Sequence, residues 1–527
     1  MSHGRPDKSR WSVKRLVIPK ESQSSSDQAG ILVIGRILAS LSEALVLLVI
    51  ARLLGKAELG SLAALFLTYE TIALLASAGF PAALMYFLPA QDASTRRSIV
   101  ARFIKVSIAM GTAAATLLVG IGAIDYFHPD VFDQVFGSHS PANSEETRVS
   151  LQYLALLGFS AILDVPSRLM PNLLVIEGRA KSAAAVGILR SLGRTLFPVV
   201  PIALGASLWW VAGALSVFGL VFGTLIFWFH FDLYRNDTPS PWNISNRELF
   251  RFAIPLGLTE AVGILNKRLD RFLVVGLFAA TVVAEYEVGA WQIPFVATIP
   301  FSVGAAYTPR FRELFAQGKA RAAIELWKLS SIKVGLIVMP VCAVFVIAAE
   351  ESIALLFTEQ YSAATTVFRL YTFWTLLRIA AFGNVITAAG KPQFVLQAAA
   401  VSFVTNIAIS VPLTLWLGFE GAAWGTLLSF IPIIGFYCWK ISDASGVPLR
   451  SIYPVTDILR IFGVLALPCY AAWVAKSHTT VDGPLTGIMV SATIILVGYS
   501  LIGTLTKTIS SEDWRYLKNW ATLKILR

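Results

Sequence analysis

Long apolar segments separated by short polar stretches recur along almost the whole 527-residue chain. Each is close to the ~20 residues that an α-helix needs to cross the hydrocarbon core of a bilayer. Because a helix satisfies its own backbone hydrogen bonds in lipid, strands are not needed anywhere. We therefore predict an all-α, polytopic membrane protein with about fourteen transmembrane helices, near residues 30–51, 60–88, 103–124, 149–175, 183–204, 208–231, 249–275, 287–309, 333–349, 364–389, 393–416, 421–441, 457–476 and 484–507.

Composition supports this class and excludes others. Only 14% of the residues are charged and 56% are hydrophobic, whereas soluble proteins average about 25% charged residues. The net charge of +11 is not gathered in a basic domain interleaved with aromatic residues, so nucleic acid is not an expected partner. The sequence has no G-x-x-x-x-G-K-S/T loop and no metal-ligand spacing, so we expect neither enzymatic activity nor a cofactor or metal site.

Lysine and arginine residues indicate the orientation. The N-terminal tail and the loops after even-numbered segments are basic, for example at Arg96, Arg97 and Arg179. The longest loop of the other set, residues 125–148, holds one arginine against five acidic residues. Because basic loops stay on the cytoplasmic side, we expect both termini in the cytoplasm.

An internal repeat divides the chain. The segment LVIEGRAK at 174–181 matches ITAAGKPQ at 386–393, since in both a helix ends in a Gly-basic turn before the next helix. An offset of six segments preserves orientation, so the repeat is parallel. The predicted units are a cytoplasmic basic tail (1–27), an N-lobe of six helices (28–232), a cytoplasmic linker (233–248), a C-lobe of six helices (249–445), two further helices (446–510) and a cytoplasmic tail (511–527).

Charged side chains within the apolar segments are the candidate functional residues. Near the bilayer centre each costs at least ~2.5–3.5 kcal/mol, so a chain that keeps several of them has a use for them. The densest group lies in EAVGILNKRLDRFLVVGLF, residues 260–278, where Lys267, Arg268, Asp270 and Arg271 follow one another within about one helical turn. Three of these four are cationic, which favours an anionic cargo.

The candidates fall into two sets. The predicted cargo-binding cations are Arg36, Arg190, Arg194, Lys267, Arg268 and Arg271. The carboxylates expected to orient them, or to couple to an ion, are Glu43, Glu70, Glu260 and Asp270. Helical spacing places Glu260, Lys267 and Arg271 on one stripe.

Several partners are left open by the sequence. Asp164 and Arg168, four residues apart, can neutralise each other or belong to the site. Arg190 and Arg194 share a face, so either another helix supplies carboxylates or the pair faces a wet cavity; we favour the cavity. Glu70 has no obvious partner and is either a proton site or a helix-packing group.

Two segments resemble a known family. Residues 51–89 resemble the opening of the Wzx-type polysaccharide flippases, and residues 350–393 resemble their second-half signature, with Thr358 in place of the usual glycine after Leu-Phe. These flippases belong to the multidrug/oligosaccharidyl-lipid/polysaccharide (MOP) exporter superfamily. The resemblance covers most of residues 28–445. It implies two six-helix lobes in a V, two further helices and a central cationic cavity that works by alternating access.

The resemblance also implies a function at the bacterial cytoplasmic (inner) membrane. The cargo would be a polyprenyl-pyrophosphate-linked oligosaccharide of O-antigen, capsule or exopolysaccharide, moved from the inner to the outer leaflet. Arginine suits such a cargo because its fork of N–H donors matches phosphate oxygens. Besides the lipid-linked anionic glycan and membrane lipids, H⁺ or Na⁺ is open as a coupling ion, and glycan polymerase or export machinery is open as a protein partner.

Three alternatives remain beside this reading. One is a lipid II flippase of the MurJ type, which shares fourteen helices and a cationic cavity. Another is a cation-coupled multidrug exporter, which the surplus of intramembrane cations disfavours. The last is a non-transporting scaffold or polymerase subunit, for which the outer loop at 125–148 is too short to hold a catalytic site.

Overall fold

The computed structural model describes residues 25–89, 91–128, 149–234, 239–242, 244–478 and 483–513. Regular structure in these ranges is helical, and no strand occurs in them, so the all-α prediction is confirmed. The helices are α1 (Ser25–Leu53), α2 (Lys56–Ser77), α3 (Phe80–Phe87), α4 (Ala93–Phe127), α5 (Leu154–Leu157), α6 (Ala161–Ser167), α7 (Met170–Ile176), α8 (Ala180–Ala203), α9 (Leu208–Leu233), α10 (Asn246–Leu277), α11 (Ala280–Gly289), α12 (Pro294–Ala316), α13 (Ala320–Ile347), α14 (Ala349–Phe357), α15 (Thr365–Leu377), α16 (Phe382–Ala388), α17 (Gln393–Leu417), α18 (Phe419–Ser445), α19 (Val455–His478) and α20 (Pro484–Leu505).

Ten helical stretches in the described ranges are long and apolar enough to cross a membrane. The four other predicted segments, near 30–51, 249–275, 287–309 and 364–389, are also helical but are not among these ten. Charged residues on α10 lower its hydropathy, although it is 32 residues long. The chain is therefore a multi-pass membrane protein, and the count of fourteen stays a prediction.

Some predicted continuous helices are broken. α2 stops before Gly79, whose φ of +80° suits glycine, and a Cβ there would lie 2.3 Å from the carbonyl oxygen of Ala253 on α10. The segment predicted near 287–309 starts inside α11, and α12 begins only at Pro294, which occupies the first turn. The segment near 364–389 is interrupted at 378–381, between α15 and α16. The break before Pro294 lies at the candidate site described below.

The predicted repeat has matching backbone geometry. Gly178 and Gly390 follow α7 and α16 with φ of +71° and +76°. Gly205 and Gly418 follow α8 and α17 with φ of +69° and +71°. The lobe and linker boundaries stay a prediction. The tail at 1–24, residues 129–148 of the acidic loop, and residues from 514 onward lie outside the described ranges.

Two halves of the chain, α1–α9 and α10–α20, meet along α2. Gly60 permits the close approach, because a Cβ there would lie only 1.7 Å from the carbonyl oxygen of Ala280 on α11. Leu62 and Ala284 are buried in the same core at this junction. At the other end of α2, α3 packs on α10. The chain thus builds an interface between its halves that runs beside the charged part of α10.

Candidate functional site

A cavity of about 540 Å³ lies between the two halves, with α1, α2 and α8 on one side and α10, α11 and the turn before α12 on the other. Ligand pockets typically measure ~300–1,000 Å³. The ionisable residues of its lining are Glu43, Glu70, Arg194, Arg268, Arg271 and Glu287. Phe66, Trp291 and Gln292 add aromatic and amide surface. Three arginines and three glutamates balance each other, so the described lining lacks the cationic surplus that the resemblance implied.

A chain of ion pairs leads from the cavity into the N-terminal half. Arg194 of α8 pairs with Glu70 of α2 at the cavity wall. Arg168 Nη2 lies 3.2 Å from Glu70 Oε2 and 2.7 Å from Asp164 Oδ2. Arg190 Nη2 lies 2.6 Å from Asp164 Oδ1. The order Arg190–Asp164–Arg168–Glu70–Arg194 therefore alternates in sign along its length.

This network resolves the open pairings. Neighbouring helices do supply carboxylates to Arg190 and Arg194, the reading we did not favour. Arg194 also lines the cavity, whereas Arg190 is not in its lining. Asp164 pairs with Arg168, as expected if the two neutralise each other, and it also pairs with Arg190. Glu70 has two arginine partners that the sequence did not reveal.

The charges on α10 point in different directions. Arg268 Nη1 donates to the Leu67 carbonyl oxygen at 3.2 Å and to Thr71 Oγ1 at 2.9 Å, both on α2. Arg271 Nε lies 2.8 Å from Glu287 Oε2 of α11. Both arginines line the cavity. They are the part of the predicted cluster that the structure brings together with Arg194.

Asp270 faces away from the cavity. It is buried and accepts hydrogen bonds from the hydroxyls of Tyr286, at 2.8 Å, and Tyr371. Glu260 accepts from the backbone N–H of Gly79 at 2.8 Å, across the junction of the two halves. Neither carboxylate contributes to the described cavity lining.

The predicted stripe on α10 does not form one site. Of Glu260, Lys267 and Arg271, only Arg271 lines the cavity, while Lys267 is exposed elsewhere. Glu43 is exposed and lines the cavity, and its role as an orienting or coupling carboxylate stays a prediction. The Arg36 side chain lies outside the described part of the structure.

Sequence reasoning missed Glu287, the partner of Arg271. It lies in AEYEVGAWQ, which the prediction treated as the start of a transmembrane segment. The signal was present, because Glu285 and Glu287 stand close together in an apolar stretch. Its role depends on the turn at residues 278–279, where the chain reverses between α10 and α11 so that Glu287 reaches Arg271.

Contacts between the halves occur on both ends of α2. Lys56 Nζ lies 2.6 Å from Glu285 Oε1, and the Tyr361 hydroxyl donates to the Ala51 carbonyl oxygen at 3.2 Å. At the opposite end, Tyr86 of α3 stacks on Phe252 of α10 with ring centres 4.4 Å apart. The cavity thus lies between two separate sets of contacts that join the halves.

The sequence profile of the family described as "Polysaccharide biosynthesis protein" matches residues 26–315, more than half of the chain. The chain belongs to this family. Capsular polysaccharide biosynthesis protein CapF of Staphylococcus aureus is 24% identical to it over 197 residues, which are 36% of this chain and 49% of CapF. The chain therefore spans about half the length of the curated relative it matches.

Solved structures support the fold. The lipid II flippase MurJ, in an inward closed conformation, has a TM-score of 0.66 at 11% identity, covering 90% of this chain and 98% of MurJ. A MOP superfamily transporter from Pyrococcus furiosus has a TM-score of 0.56 at 16% identity, covering 84% and 100%. The protein is thus a multi-pass membrane protein with the fold of the MOP transporters, and its predicted family and fold class are confirmed.

Proposed function

We propose that this protein moves a polyprenyl-pyrophosphate-linked oligosaccharide, a unit of O-antigen, capsule or exopolysaccharide, from the inner to the outer leaflet of the bacterial cytoplasmic membrane. The observation that carries the proposal is the cavity of about 540 Å³ between the halves, with Arg194, Arg268 and Arg271 in its lining. Charged groups in membrane segments are expensive and typically mark a substrate or ion path. Membership of a polysaccharide biosynthesis family points to a glycan as the cargo.

The chemistry of the lining suits sugar hydroxyls. Arginine only donates hydrogen bonds and ionised glutamate only accepts them, so a wall that carries both can satisfy hydroxyl groups of either role. Gln292 offers an amide with both roles, and Trp291 offers an aromatic surface against which the apolar face of a sugar ring can pack. A glycan can therefore exchange its water for this lining at little cost.

Movement of the cargo would follow from alternate separation of the contacts at the two ends of α2. The Lys56–Glu285 end and the Tyr86–Phe252 end both join the halves in the present conformation. Breaking one set while the other holds would open the cavity to one side only. Transporters built from internal repeats commonly rock one repeat against the other in this way.

The predicted residues take different parts in this proposal. Arg194, Arg268 and Arg271 would contact the cargo, and Glu43, Glu70 and Glu287 would position them or accept from sugar hydroxyls. Arg190 would act on the cavity only through Asp164 and Arg168. We retain H⁺ or Na⁺ as the coupling ion and cytoplasmic termini as parts of the proposal.

Lipid II is the second candidate cargo, because it carries the same polyprenyl diphosphate on a different glycan. The family description favours a polysaccharide unit instead. A multidrug exporter for cationic compounds fits less well. Two of the three glutamates in the described lining, Glu70 and Glu287, already pair with arginines, so a cationic drug would have to displace an arginine to form an ion pair with either of them.

The test is transport in vesicles that contain the purified full-length protein and either a defined polyprenyl-diphosphate glycan or lipid II. Movement is measured as the fraction of cargo that becomes accessible to a glycan-modifying enzyme added outside. We expect faster movement of the glycan carrier than in protein-free vesicles, and loss of that movement in Arg268→Ala. If neither cargo moves with the wild-type protein, the proposal fails; if only lipid II moves, the second candidate replaces the first.

A further inference from the structure

Thr358 has a backbone conformation that threonine rarely adopts. It directly follows α14, with φ of +90° and ψ of +159°. This region is populated almost entirely by glycine, because the Cβ of a β-branched residue crowds the backbone there. Among the described residues, Lys507 is the other non-glycine residue with a positive φ, but its +56° is close to the usual left-handed value. We refer to residues 357–361 as the Thr358 turn, and its backbone is strained.

The Thr358 side chain adds a second cost. Its hydroxyl oxygen is buried and has no hydrogen-bond partner among the described residues. A buried hydroxyl without a partner loses its hydrogen bonds to water and gains none in return. Ser352 of the same helix shows the usual solution, since its hydroxyl donates to the Ala348 carbonyl oxygen at 2.6 Å. Both costs at Thr358 come from its side chain, and a glycine at this position would have neither.

The Thr358 turn lies where the C-terminal half of the chain contacts α1. Arg52 of α1 donates through Nε to the Leu356 carbonyl oxygen at 3.1 Å, in the last turn of α14. Tyr361, three residues after Thr358, is buried, and its hydroxyl donates to the Ala51 carbonyl oxygen of α1 at 3.2 Å. Bonds from α1 therefore hold the chain both before and after the strained residue. A strained conformation persists only where its surroundings hold it in this way.

Aromatic contacts join the Thr358 turn to the cavity between the halves. Phe357, the residue before Thr358, packs edge to face on Trp291 with ring centres 5.7 Å apart. Trp291 lines the cavity and also stacks on Phe368 of α15, with ring centres 6.5 Å apart. Phe357 and Phe368 are both buried, and a close-packed interior transmits a displacement from one side chain to the next. A rearrangement of the turn therefore reaches the cavity wall.

We propose that the strained backbone at Thr358 favours separation of the halves at the Lys56–Glu285 end. Once the bonds from Arg52 and Tyr361 break, Thr358 can return to an ordinary conformation and its hydroxyl can meet water. The strain thus offsets part of the free energy that joins the halves at this end. This inference rests on the alternate separation of the two ends in the proposed function. It concerns how readily one end opens, and not which cargo is carried.

The test measures distances between spin labels on the purified full-length protein in lipid nanodiscs, without cargo. The labels are attached at Leu53→Cys on α1 and Ala363→Cys after the turn, since both positions are exposed. Lys56→Gln serves as the background, because loss of the ion pair enlarges the population that is open at this end. In this background Thr358→Gly should lower the ratio of open to closed molecules at least about fivefold, or about 1 kcal/mol. Thr358→Ser, which keeps both the Cβ and the hydroxyl, should leave the ratio unchanged.

Lys507→Gly is the matched control, since it also places glycine at a positive φ, but at an exposed position after α20. It should not change the distances. Equal distance distributions with Thr358 and with Thr358→Gly would overturn the proposal. A higher melting temperature of Thr358→Gly would not rescue it, because the strain would then be the same in both conformations. None of these results touches the proposed function, which is decided by glycan movement in vesicles. Conversely, a protein that moves no glycan but closes on Thr358→Gly substitution would keep this inference and lose that function.

Discussion

Lys56 on α2 and Glu285 on α11 form an ion pair, 2.6 Å from Nζ to Oε1, that ties the two halves of the chain together beside the cavity. Arg52 reinforces this end by donating to the backbone carbonyl oxygens of Leu355 and Leu356. The opposite end is joined through Glu260, which accepts from the Gly79 amide. In this conformation the halves are therefore linked on both sides of the site at once.

Removing one charge of the Lys56–Glu285 pair should favour separation of the halves at that end. Partly exposed ion pairs are worth ~0.2–1 kcal/mol, so Lys56→Gln should raise the open population by up to about fivefold. Distances between spin labels on either side of the pair would measure the shift. The reciprocal exchange Lys56→Glu with Glu285→Lys should restore the closed distribution, and failure to do so would argue against an ionic link.

Arg268→Ala should reduce glycan movement in vesicles at least tenfold while leaving insertion and folding intact. Arg268 has no carboxylate partner in the described part of the chain, so its loss leaves no buried anion unpaired. Arg271→Ala differs, because it leaves Glu287 without its ion-pair partner and should therefore also lower thermal stability. Transport at the wild-type rate in Arg268→Ala would refute a cargo-binding role for this residue.

Asp164→Asn should destabilise the fold by about 3–5 kcal/mol, because it leaves two arginines beside each other without their shared carboxylate. Thermal unfolding in detergent, followed by circular dichroism, would measure the loss. Glu43→Gln is the control, since no described residue forms an ion pair with Glu43 and its side chain is exposed. A stable Asp164→Asn protein would show that the network contributes little to folding.

Gly60→Ala should disrupt the junction of the halves. Its Cβ would lie 1.7 Å from the backbone oxygen of Ala280, which cannot move without shifting α11. We expect a lower melting temperature and loss of transport. Gly120→Ala on α4 meets no atom within 4 Å and should be neutral, or stabilising by about 0.5–1 kcal/mol. Equal behaviour of the two variants would contradict the close approach of α2 and α11.

Acidification should loosen the chain after α20. Burial alone would raise the pKa of Asp513. Hydrogen bonds from Ser510 and the nearby Lys333 ammonium group lower this pKa by more than burial raises it, so the net shift is downward. When the pKa of a carboxyl group is lower in the folded state, the group contributes its full stabilisation at pH values above its pKa in the unfolded chain, about 3.9. This stabilisation is lost as the pH falls through the pKa of the folded state. A spin label at Glu512→Cys should become mobile below about pH 4. Asp513→Asn should make the label mobile at every pH; a label insensitive to both changes would exclude the link.

Much of the fold follows from apolar segment length, since every segment predicted to cross the membrane contains α-helix in the structure. The breaks at Gly79 and at 378–381 were not predicted. The chain turns at Gly79, where the backbone of Ala253, about 170 residues later in the sequence, approaches closely. The periodicity of a single sequence carries no information on such a long-range contact. The Trp374–Arg378 contact likewise forms only once α15 ends at Leu377.

The candidate site was half predictable. Charges inside apolar segments are costly, and this singled out Arg194, Arg268 and Arg271, all of which line the cavity. Their partners were not predictable, because Glu70 and Glu287 reach them from other helices. For the same reason, the sequence could not show that Arg271 lines the cavity while Lys267, one turn earlier on α10, is exposed outside it.

None of the described ion pairs of Arg190, Arg194 and Arg271 crosses between the halves. The partners of Arg190 and Arg194 lie in the N-terminal half with them, and Glu287 lies in the C-terminal half with Arg271. Each half therefore carries its own counter-ions when it moves. Across the junction at the depth of α10, the described bonds of Arg268 and Glu260 go to groups without a formal charge. Rocking the halves apart there separates no described ion pair, so the work of opening falls on packing and on hydrogen bonds in which one partner is charged, and a polar cargo can replace those bonds.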